Sequence, residues 1–420
     1  MDTSIENNVH KFIRSLKEST SPGIFSEDLR MERLDQLTAN NFPTSRQEYW
    51  KYTRVNRIST KAFKIAPGFV NAIDAFKIKN LNSDYCVFVN GFYDDALSCI
   101  SEENKPYISI LSNLDNKIAQ QPESSEIFDQ INLVFATDGI HLDIPKNKIL
   151  NRPIEIIHLQ SGQEVIANVY HHFQIGEHAQ AKILLSFYSS NDVPSFSNIR
   201  LYANLNKGAH LNITKIQAES NQSYHISTED IDQLDSSNFT INTITLGGEL
   251  VRNNLNIRVN GKNCETNLHA AYILKENQHV DNHTLVDHKV AHCQSNELYK
   301  GVISDKATAV FNGKVFVRKD AQKINAFQSN GNVLLSNTAS VNSKPELEIY
   351  ADDVKCSHGS TTGQLDEKAV FYLRSRGLSE KEARELLVQA FIADVLEKID
   401  DEPRAHIDEI IEKRFGWELI

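Results

Sequence analysis

Two side chains that could bind a metal stand two residues apart late in the sequence. Cys356 and His358 belong to the segment DDVKCSHGST at 352–361. On an extended chain, residues i and i+2 point to the same side, so the thiol and the imidazole would share one face. Such a pair supplies half of a soft metal site or half of a cysteine–histidine nucleophile pair. The residues alone also allow a pair with no chemical role.

A metal role for this pair carries two further expectations. Two donors cannot complete a tetrahedral site, so a second chain would have to supply the remaining ligands. Lys355 or a nearby imidazolium would lower the pKa of the Cys356 thiol and favour the thiolate, which is the form that binds metals.

A second group of possible ligands lies upstream. Soft and imidazole donors fall within 15 residues there, a composition that zinc or iron could use; they are His279, His283, His288, His292 and Cys293. Their spacing is unfavourable, because His279 and His283 share a strand face whereas His283 and His288 do not. We therefore interpret them as hydrogen-bonded or exposed histidines in turns of the fold.

Several enzyme classes are excluded by missing motifs. The sequence has no G-x-x-x-x-G-K-[ST], G-x-G-x-x-G, H-E-x-x-H or G-x-S-x-G pattern. The usual signatures of P-loop ATPases, dinucleotide-binding enzymes, zinc proteases and serine hydrolases are thus missing. With 44 basic and 55 acidic residues, the net charge of −11 argues against a chain built to bind nucleic acid or an anionic membrane.

The cysteines predict a reduced, cytoplasmic protein. There are five of them, an odd number, and no two form C-x-x-C; they are Cys86, Cys99, Cys264, Cys293 and Cys356. A zinc or ferredoxin-type site held by this chain alone is therefore not expected. Residues 1–17 are charged and lack the apolar core of a signal peptide, and no run of about 18 apolar residues predicts a membrane span.

The elements that must position these residues are mostly strands. From about residue 131, short runs of period two with β-branched and aromatic residues follow one another for over 200 residues, separated by turns rich in Asn, Ser, Gly and Asp. No helical period intervenes, which disfavours a Rossmann fold or an α/β barrel. A sandwich, barrel, propeller or solenoid remains. Abundant Asn favours the solenoid, where stacked amides form ladders, but a sandwich stays open.

Helical patterns flank the strands. We predict an N-terminal helical region over 1–130, a β core over 131–362 and a C-terminal helical domain over 363–420. Ser379 and Glu382 form a capping-box pattern ahead of an apolar stripe that runs to Ile399. We expect this C-terminal unit to be a separate subdomain whose helices pack on each other or in a groove of a partner.

Several segments of the chain resemble the SufB/SufD family of iron–sulfur cluster assembly proteins, on its SufD side. The most specific are KPELEIYADDVKCSHGST at 344–361 and FYLRSRGL at 371–378. Others are VFNGKV at 310–315, SNELYKG at 295–301, EYWKYT at 48–53 and VFVNG at 87–91. SufB-like chains carry a His-Glu-Ala-Thr-Thr block in place of residues 356–362, and Ser360 replaces the alanine usual in SufD.

The resemblance implies a fold and a set of partners. The implied fold is mainly β, a right-handed parallel β-helix between N-terminal and C-terminal helical regions. The implied role is that of a non-enzymatic scaffold subunit of the SufBCD complex. Its β-helix would pair with a SufB-like paralogue, its C-terminal helices would dock a SufC ATPase, and closure of two SufC subunits would distort the β-helix pair.

The resemblance also implies a site. His358 is the residue implied in forming a transient iron–sulfur cluster at the interface with SufB, and Cys356 is a second candidate ligand there. No cluster is expected on the isolated chain, which we expect to pair with a second copy of itself. The alternatives are a SufB-like primary scaffold, a stand-alone β-helix enzyme acting on carbohydrates, and an adaptor without a metal role.

Overall fold

The centre of the structure is a parallel β-solenoid of about eight turns with helices at both ends. The computed structural model describes residues 8–17, 23–114, 124 and 126–417. The helices are α1 (Asn8–Lys17), α2 (Glu27–Thr38), α3 (Asn56–Ser59), α4 (Ile127–Phe135), α5 (Glu367–Ser375), α6 (Glu380–Leu396) and α7 (Asp401–Phe415). Within these ranges no helix has the length and apolar content needed to cross a membrane.

The strands fall into two sheets. The first five are β1 (Asp84–Val89), β2 (Phe92–Tyr93), β3 (Ile108–Ile110), β4 (Ile140–Ile144) and β5 (Ile154–Gln160). The next seven are β6 (Val165–Ile175), β7 (Gln180–Ser189), β8 (Ser195–Leu205), β9 (His210–Ala218), β10 (Tyr224–Gln233), β11 (Asn238–Thr245) and β12 (Leu250–Val259). The last seven are β13 (Glu265–Leu274), β14 (His279–His288), β15 (Gln294–Ile303), β16 (Thr308–Val317), β17 (Ile324–Leu334), β18 (Ser340–Ile349) and β19 (Val354–Gln364).

From β4 onward, successive strands alternate between the sheets, so two strands make one turn of the solenoid. One sheet has the order β19-β17-β15-β13-β11-β9-β7-β5-β1-β2, and the other β18-β16-β14-β12-β10-β8-β6-β4-β3. All neighbours are parallel except β1 with β2 and β3 with β4. This confirms the predicted mainly β, parallel β-helix with helical flanks and excludes the sandwich.

Side chains alternate along each strand, so every second side chain points into the solenoid. On β15, for example, Ser295, Glu297 and Tyr299 are buried while their neighbours are partly exposed. Most inward positions are apolar and form one continuous core along the solenoid. Amide ladders also occur: Asn253 Nδ2 donates to Asn282 Oδ1 at 2.9 Å on the next turn. The asparagine content thus indicated the solenoid because asparagine amides on stacked turns form hydrogen-bonded ladders.

The N-terminal region covers one face of the solenoid. Its apolar residues pack with Phe196, Tyr224 and Leu250 of the nine-stranded sheet. Trp50 is buried, with the Arg252 guanidinium 3.8 Å from its ring centroid. Trp50 thus anchors this region to the sheet. The predicted range 1–130 also contains β1, which pairs in parallel with β5 and belongs to the solenoid.

The C-terminal helices pack on the solenoid itself. Val388, Ile392 and Val395 of α6 and Ile407 and Ile411 of α7 share one apolar cluster with the outer face of the ten-stranded sheet. The sheet contributes Ile216, Ile244, Ala271, Ile273 and Val302, among others. The C-terminal unit that we predicted as a subdomain thus buries the apolar stripe of α6 against the ten-stranded sheet.

Candidate functional site

The solenoid ends at two edge strands, β18 and β19. Among the strands that the structure describes, β19 pairs only with β17 and β18 only with β16. Each edge strand leaves one row of backbone N–H and C=O groups without a neighbouring strand. We call the surface formed by β18, β19 and their inward-pointing side chains the open end.

Cys356 and His358 lie on the inward face of β19 at the open end. Cys356 is in register with Ala326 of β17 and His358 with Gln328, and both partners are buried inside the solenoid. Side chains at paired positions of a parallel sheet lie on the same face, so Cys356 and His358 point inward as well. They are accessible because they belong to the last turn: Cys356 is half-buried and His358 is exposed.

The Cys356 thiol is harder to ionise than the sequence indicated. Burial raises the pKa of Cys356, and a backbone hydrogen bond with Ala326 acts in the opposite direction. Lys355, which we expected to lower this pKa, lies one residue away and therefore points to the other face of β19. The expectation about Lys355 is thus wrong, because adjacent residues of a strand face opposite sides.

Ser360 joins the two edge strands. Its hydroxyl lies 2.8 Å from Ser343 Oγ on β18, and Ser343 Oγ donates to Asn330 Oδ1 at 2.8 Å. An alanine at this position could not make this bond. Ser360 therefore links β18, β19 and the interior of the turn below.

A buried carboxylate lies behind His358. Glu297 on β15 accepts hydrogen bonds from Thr284 Oγ1 at 2.6 Å and from Gln328 Nε2 at 3.1 Å. Burial raises the pKa of Glu297 to about 7, while these two bonds act against the rise. Glu297, Gln328 and His358 stand at equivalent register positions of β15, β17 and β19. Polar residues thus form a column that leads from the interior to the open end.

The interior is polar farther from the open end too. Lys215 Nζ lies 2.5 Å from Glu229 Oε1 and 2.9 Å from Asn253 Oδ1, and all three side chains are buried. Our sequence reasoning missed these residues and Glu297. The available signal was a charged residue at an inward position of a period-two run, as Lys215 is within HLNITKI at 210–216.

The upstream histidines do not form a metal site. Thr53 Oγ1 lies 2.8 Å from His279 Nε2 and 2.5 Å from Asp281 Oδ2, while His283 Nε2 lies 2.9 Å from Asp281 Oδ1. Arg252 Nη1 donates to Asp281 at 2.6 Å. His283 and Arg252 hold the pKa of Asp281 well below its usual range despite burial. This network fastens the N-terminal segment to β14.

The other members of that group are separate. His288 Nε2 lies 2.9 Å from Ser295 Oγ, and the Cys293 thiol donates to the Gly261 carbonyl at 3.2 Å. Only His292 lies in a turn, with φ of 65°; the other three histidines belong to β14. The interpretation as turn residues is corrected accordingly. Across the described ranges, no three His, Cys, Asp or Glu side chains are grouped to hold a metal.

Two aromatic side chains are exposed on α5. Phe371 is 73% and Tyr372 57% exposed, whereas Val370 beside them is buried. Large aromatic residues at such exposure are unusual on a surface that contacts only water. They belong to the FYLRSRGL segment that carried the family resemblance.

Comparison with known proteins agrees with this architecture. Residues 158–391 match the family model described as "SUF system FeS cluster assembly, SufBD core domain", and residues 10–156 match "SufBD protein N-terminal region". The chain belongs to the SufBD family. Its two matched parts meet near the start of β5, where the parallel stacking of the solenoid begins to dominate.

Individual SufBD relatives cover most of the chain. An Escherichia coli relative, "Iron-sulfur cluster assembly protein SufD", is 33% identical over 88% of this chain and 88% of its own length. A SufBD family protein of Synechocystis is 32% identical over 94% of this chain and 93% of its own. A Mycobacterium leprae family member is 39% identical over 37% of this chain and 42% of its own length. These matches support a SufD-type assembly protein.

Proposed function

We propose that this SufD-type chain acts as a non-ATPase scaffold in the assembly of iron–sulfur clusters. In this proposal it pairs through the open end with a SufB-like paralogue and is coupled to a SufC-type ATPase through its C-terminal helices. The observation that carries the proposal is the exposure of His358 on the inward face of the last turn. That face is where a second solenoid, stacked end to end, would meet this one.

The form of the open end supports pairing with a second solenoid. Parallel edge strands add a further strand through backbone hydrogen bonds, and exposed edges are otherwise prone to unspecific association. Half-buried apolar side chains at the edge, among them Val341, Leu347 and Val354, pack against the core of the solenoid. A paralogue with the same rise per turn would cover them and continue both sheets.

The chemistry of the site supports a shared cluster as cargo. Iron–sulfur clusters take thiolate ligands and, in some sites, imidazole. His358 offers an imidazole, and Cys356 offers a thiol whose proton would be released on binding iron. Two donors leave coordination positions for the partner, so a site at the junction needs ligands from both chains.

The packing of α6 supports mechanical coupling to an ATPase. Lys300 on β15 donates to the Phe391 carbonyl of α6 at 2.7 Å and pairs with Asp394 at 2.8 Å. β15 also carries Glu297, which is bonded to Gln328 behind His358. A force applied to the C-terminal helices would therefore reach β15, which is separated from the edge strand β19 only by β17.

His358→Ala tests the ligand role. In the reconstituted anaerobic complex, we expect this variant to assemble normally, since an exposed imidazole changes stability by only about 0.5 kcal/mol. Bound iron and sulfide should fall to near background, because one donor of a small shared site is lost. Cys356→Ser should reduce cluster content less.

His210→Ala serves as the matched control, because His210 is an exposed strand histidine far from the open end. It should keep wild-type cluster content. Wild-type iron and sulfide in the His358→Ala complex would reject the ligand role. A His358→Ala chain that no longer binds the SufB-like partner would instead identify His358 as a packing residue of the interface.

A further inference from the structure

The polar column behind His358 contains one unsatisfied atom. Gln328 is 3% exposed, and its Nε2 donates to Glu297 Oε1 at 3.1 Å. Its carbonyl oxygen Oε1 is buried and has no hydrogen-bond partner among the described residues. A buried carbonyl without a donor costs about 1–3 kcal/mol, so such an atom in a folded protein calls for a specific explanation.

We propose that Gln328 is a positioning residue that accepts a hydrogen bond from one ring N–H of His358 and so leaves the other ring nitrogen free to bind iron. This inference rests on the proposed ligand role of His358 and adds the group that orients it. No hydrogen bond joins the two side chains in the described structure, and this bond is what the proposal adds.

Register places His358 beside Gln328. Gln328 and His358 are Cα partners on adjacent parallel strands and share the inward face. Adjacent strands lie about 4.8 Å apart, so a side-chain amide and an imidazole at paired positions are within reach of one another after rotation about the His358 side-chain bonds. Since His358 is exposed, that rotation is not blocked by packing.

Other donors around the amide are already engaged. Thr284 Oγ1 donates to Glu297, and Asn330 Nδ2 donates to Tyr272 Oη at 3.0 Å and to the Tyr299 carbonyl at 3.3 Å. Neither group is therefore available to the Gln328 carbonyl. Within the last turn, the His358 imidazole is the donor that stands directly opposite Gln328 in the register.

Glu297 fixes the direction of the amide. Its two carboxyl oxygens accept from Thr284 Oγ1 and from Gln328 Nε2, so the NH₂ end of Gln328 faces Glu297 and the carbonyl end faces away. Gly313 makes room for this arrangement, because a Cβ at that position would lie 2.9 Å from Gln328 Nε2 and 2.5 Å from Phe311 Cζ. The glycine in VFNGKV thus allows the amide its place in the interior.

The chemical consequence is a defined histidine tautomer. A metal-binding histidine commonly donates its second ring N–H to a fixed acceptor, which holds the ring plane and aims the free lone pair. In this chain Gln328 supplies that acceptor and Glu297 holds Gln328. His358 would then present one lone pair to the open end without reorganisation when a cluster forms.

The test measures the tautomer of His358 by long-range ¹⁵N–¹H NMR on the isolated, histidine-labelled full chain in its monomeric form at pH 8. The His358 signals are assigned by their loss in His358→Ala. In the wild type we expect one neutral tautomer to dominate, and Gln328→Met should shift the tautomer ratio about fivefold, as one net hydrogen bond would. Glu297→Gln should give a smaller shift, because a glutamine there no longer fixes the amide direction.

Gln233→Met is the control, since Gln233 is also a fully buried glutamine but lies on β10, far from the open end. It should leave the His358 tautomer unchanged. If Gln328→Met does not fold, Gly313→Ala displaces the amide and should produce the same direction of shift. An unchanged tautomer ratio in folded Gln328→Met or Gly313→Ala chains would overturn the proposal.

Cluster content separates this inference from the proposed function. In the reconstituted complex, Gln328→Met should lower bound iron and sulfide by several-fold while His358→Ala removes them. Wild-type cluster content with His358→Ala would reject the proposed function, yet the tautomer result on the isolated chain would still stand or fall by itself. A tautomer shift with wild-type cluster content in Gln328→Met would overturn the claim that orientation by Gln328 serves iron binding.

Discussion

Two buried histidines should make the stability of this solenoid depend on pH. His158 and His171 face each other inside the second and third turns, with their Nε2 atoms 3.2 Å apart. The His158 ring is stacked between Phe88 and Phe187. His171 Nδ1 accepts the backbone N–H of Ile140 at 3.1 Å, so its Nε2 carries the proton that is donated to His158. Both imidazoles must therefore be neutral in the folded protein.

His171→Phe tests this requirement. Burial lowers the pKa of His171 to about 3, below the value of about 6.5 in the unfolded chain. Between these two pKa values the unfolded chain binds more protons than the folded chain. The free energy of unfolding is therefore highest above about pH 6.5 and falls as the pH falls. By this linkage, His171 lowers the free energy of unfolding of the wild type by about 2 kcal/mol as the pH falls from 7.5 to 5.

The measurement is urea unfolding of wild type and His171→Phe at both pH values. The readout is the change of the unfolding free energy with pH, because the variant also leaves the Ile140 N–H without its acceptor. We expect a smaller pH dependence in the variant. An equal dependence in the two proteins would show that His171 is not held neutral by burial.

At the scale of elements, the C-terminal helices serve two surfaces at once. One face of α6 and α7 is buried on the ten-stranded sheet, while α5 carries the exposed Phe371 and Tyr372. Truncation before Asp366 would remove these helices and expose Ile244, Ile273 and other apolar residues of the sheet's outer face. Surface substitutions are therefore the sounder test of docking.

Phe371→Ser combined with Tyr372→Ser should weaken binding of the SufC-type ATPase at least tenfold if the two rings are hot spots of the dock, since a hot-spot residue carries about 2 kcal/mol or more of an interface. Thermal stability should stay at the wild-type value, because neither ring is buried. Calorimetric titration of the full chain with the ATPase measures the effect. Lys368→Ala, an exposed change on the same helix, is the control and should bind normally; unchanged affinity in the double variant would place the dock elsewhere.

At the scale of the whole molecule, the solenoid has two unlike ends. At its start, β2 and β3 add antiparallel strands and the N-terminal helices pack nearby. At its other end, β18 and β19 carry partly exposed inward faces. We therefore expect association with another solenoid to occur at the open end.

Val341→Lys should block association at the open end. Val341 is a half-buried inward residue of β18, and a lysine there would place a charge against the face that a second solenoid must cover. The isolated wild-type chain is expected to self-associate, and the variant to sediment as a monomer. Phe69→Lys is the control because Phe69 is 78% exposed and lies beside Ser161, far from the open end. Self-association that survives Val341→Lys would assign the contact to another face.

We expect the isolated, anaerobically purified chain to be colourless and to contain no stoichiometric iron. His358 and Cys356 offer two donors on one strand, which leaves most positions of a cluster without ligands. Iron and sulfide assays on the isolated chain check this. Stoichiometric iron on a chain shown to be monomeric would mean that this chain alone holds a complete ligand set.

Much of the architecture could be predicted from local patterns. Period two, asparagine-rich turns and the capping box at Ser379 and Glu382 depend on contacts between residues close in sequence or one turn apart, and the structure contains each of them. The shared face of Cys356 and His358 also followed from spacing alone. A resemblance carried by long segments then selected the solenoid over the sandwich.

Only the tertiary structure decided which side of each strand is the inside and what lies there. Cys356 faces the core and Lys355 faces out, so burial rather than the lysine charge determines the thiol pKa. Glu297 and Gln328 are 31 residues apart in sequence and meet only because two turns stack. The apolar stripe of α6 likewise packs on a surface that exists only because the turns stack. Local sequence determines periodicity, but contacts between turns depend on register, which is fixed by packing of the whole chain.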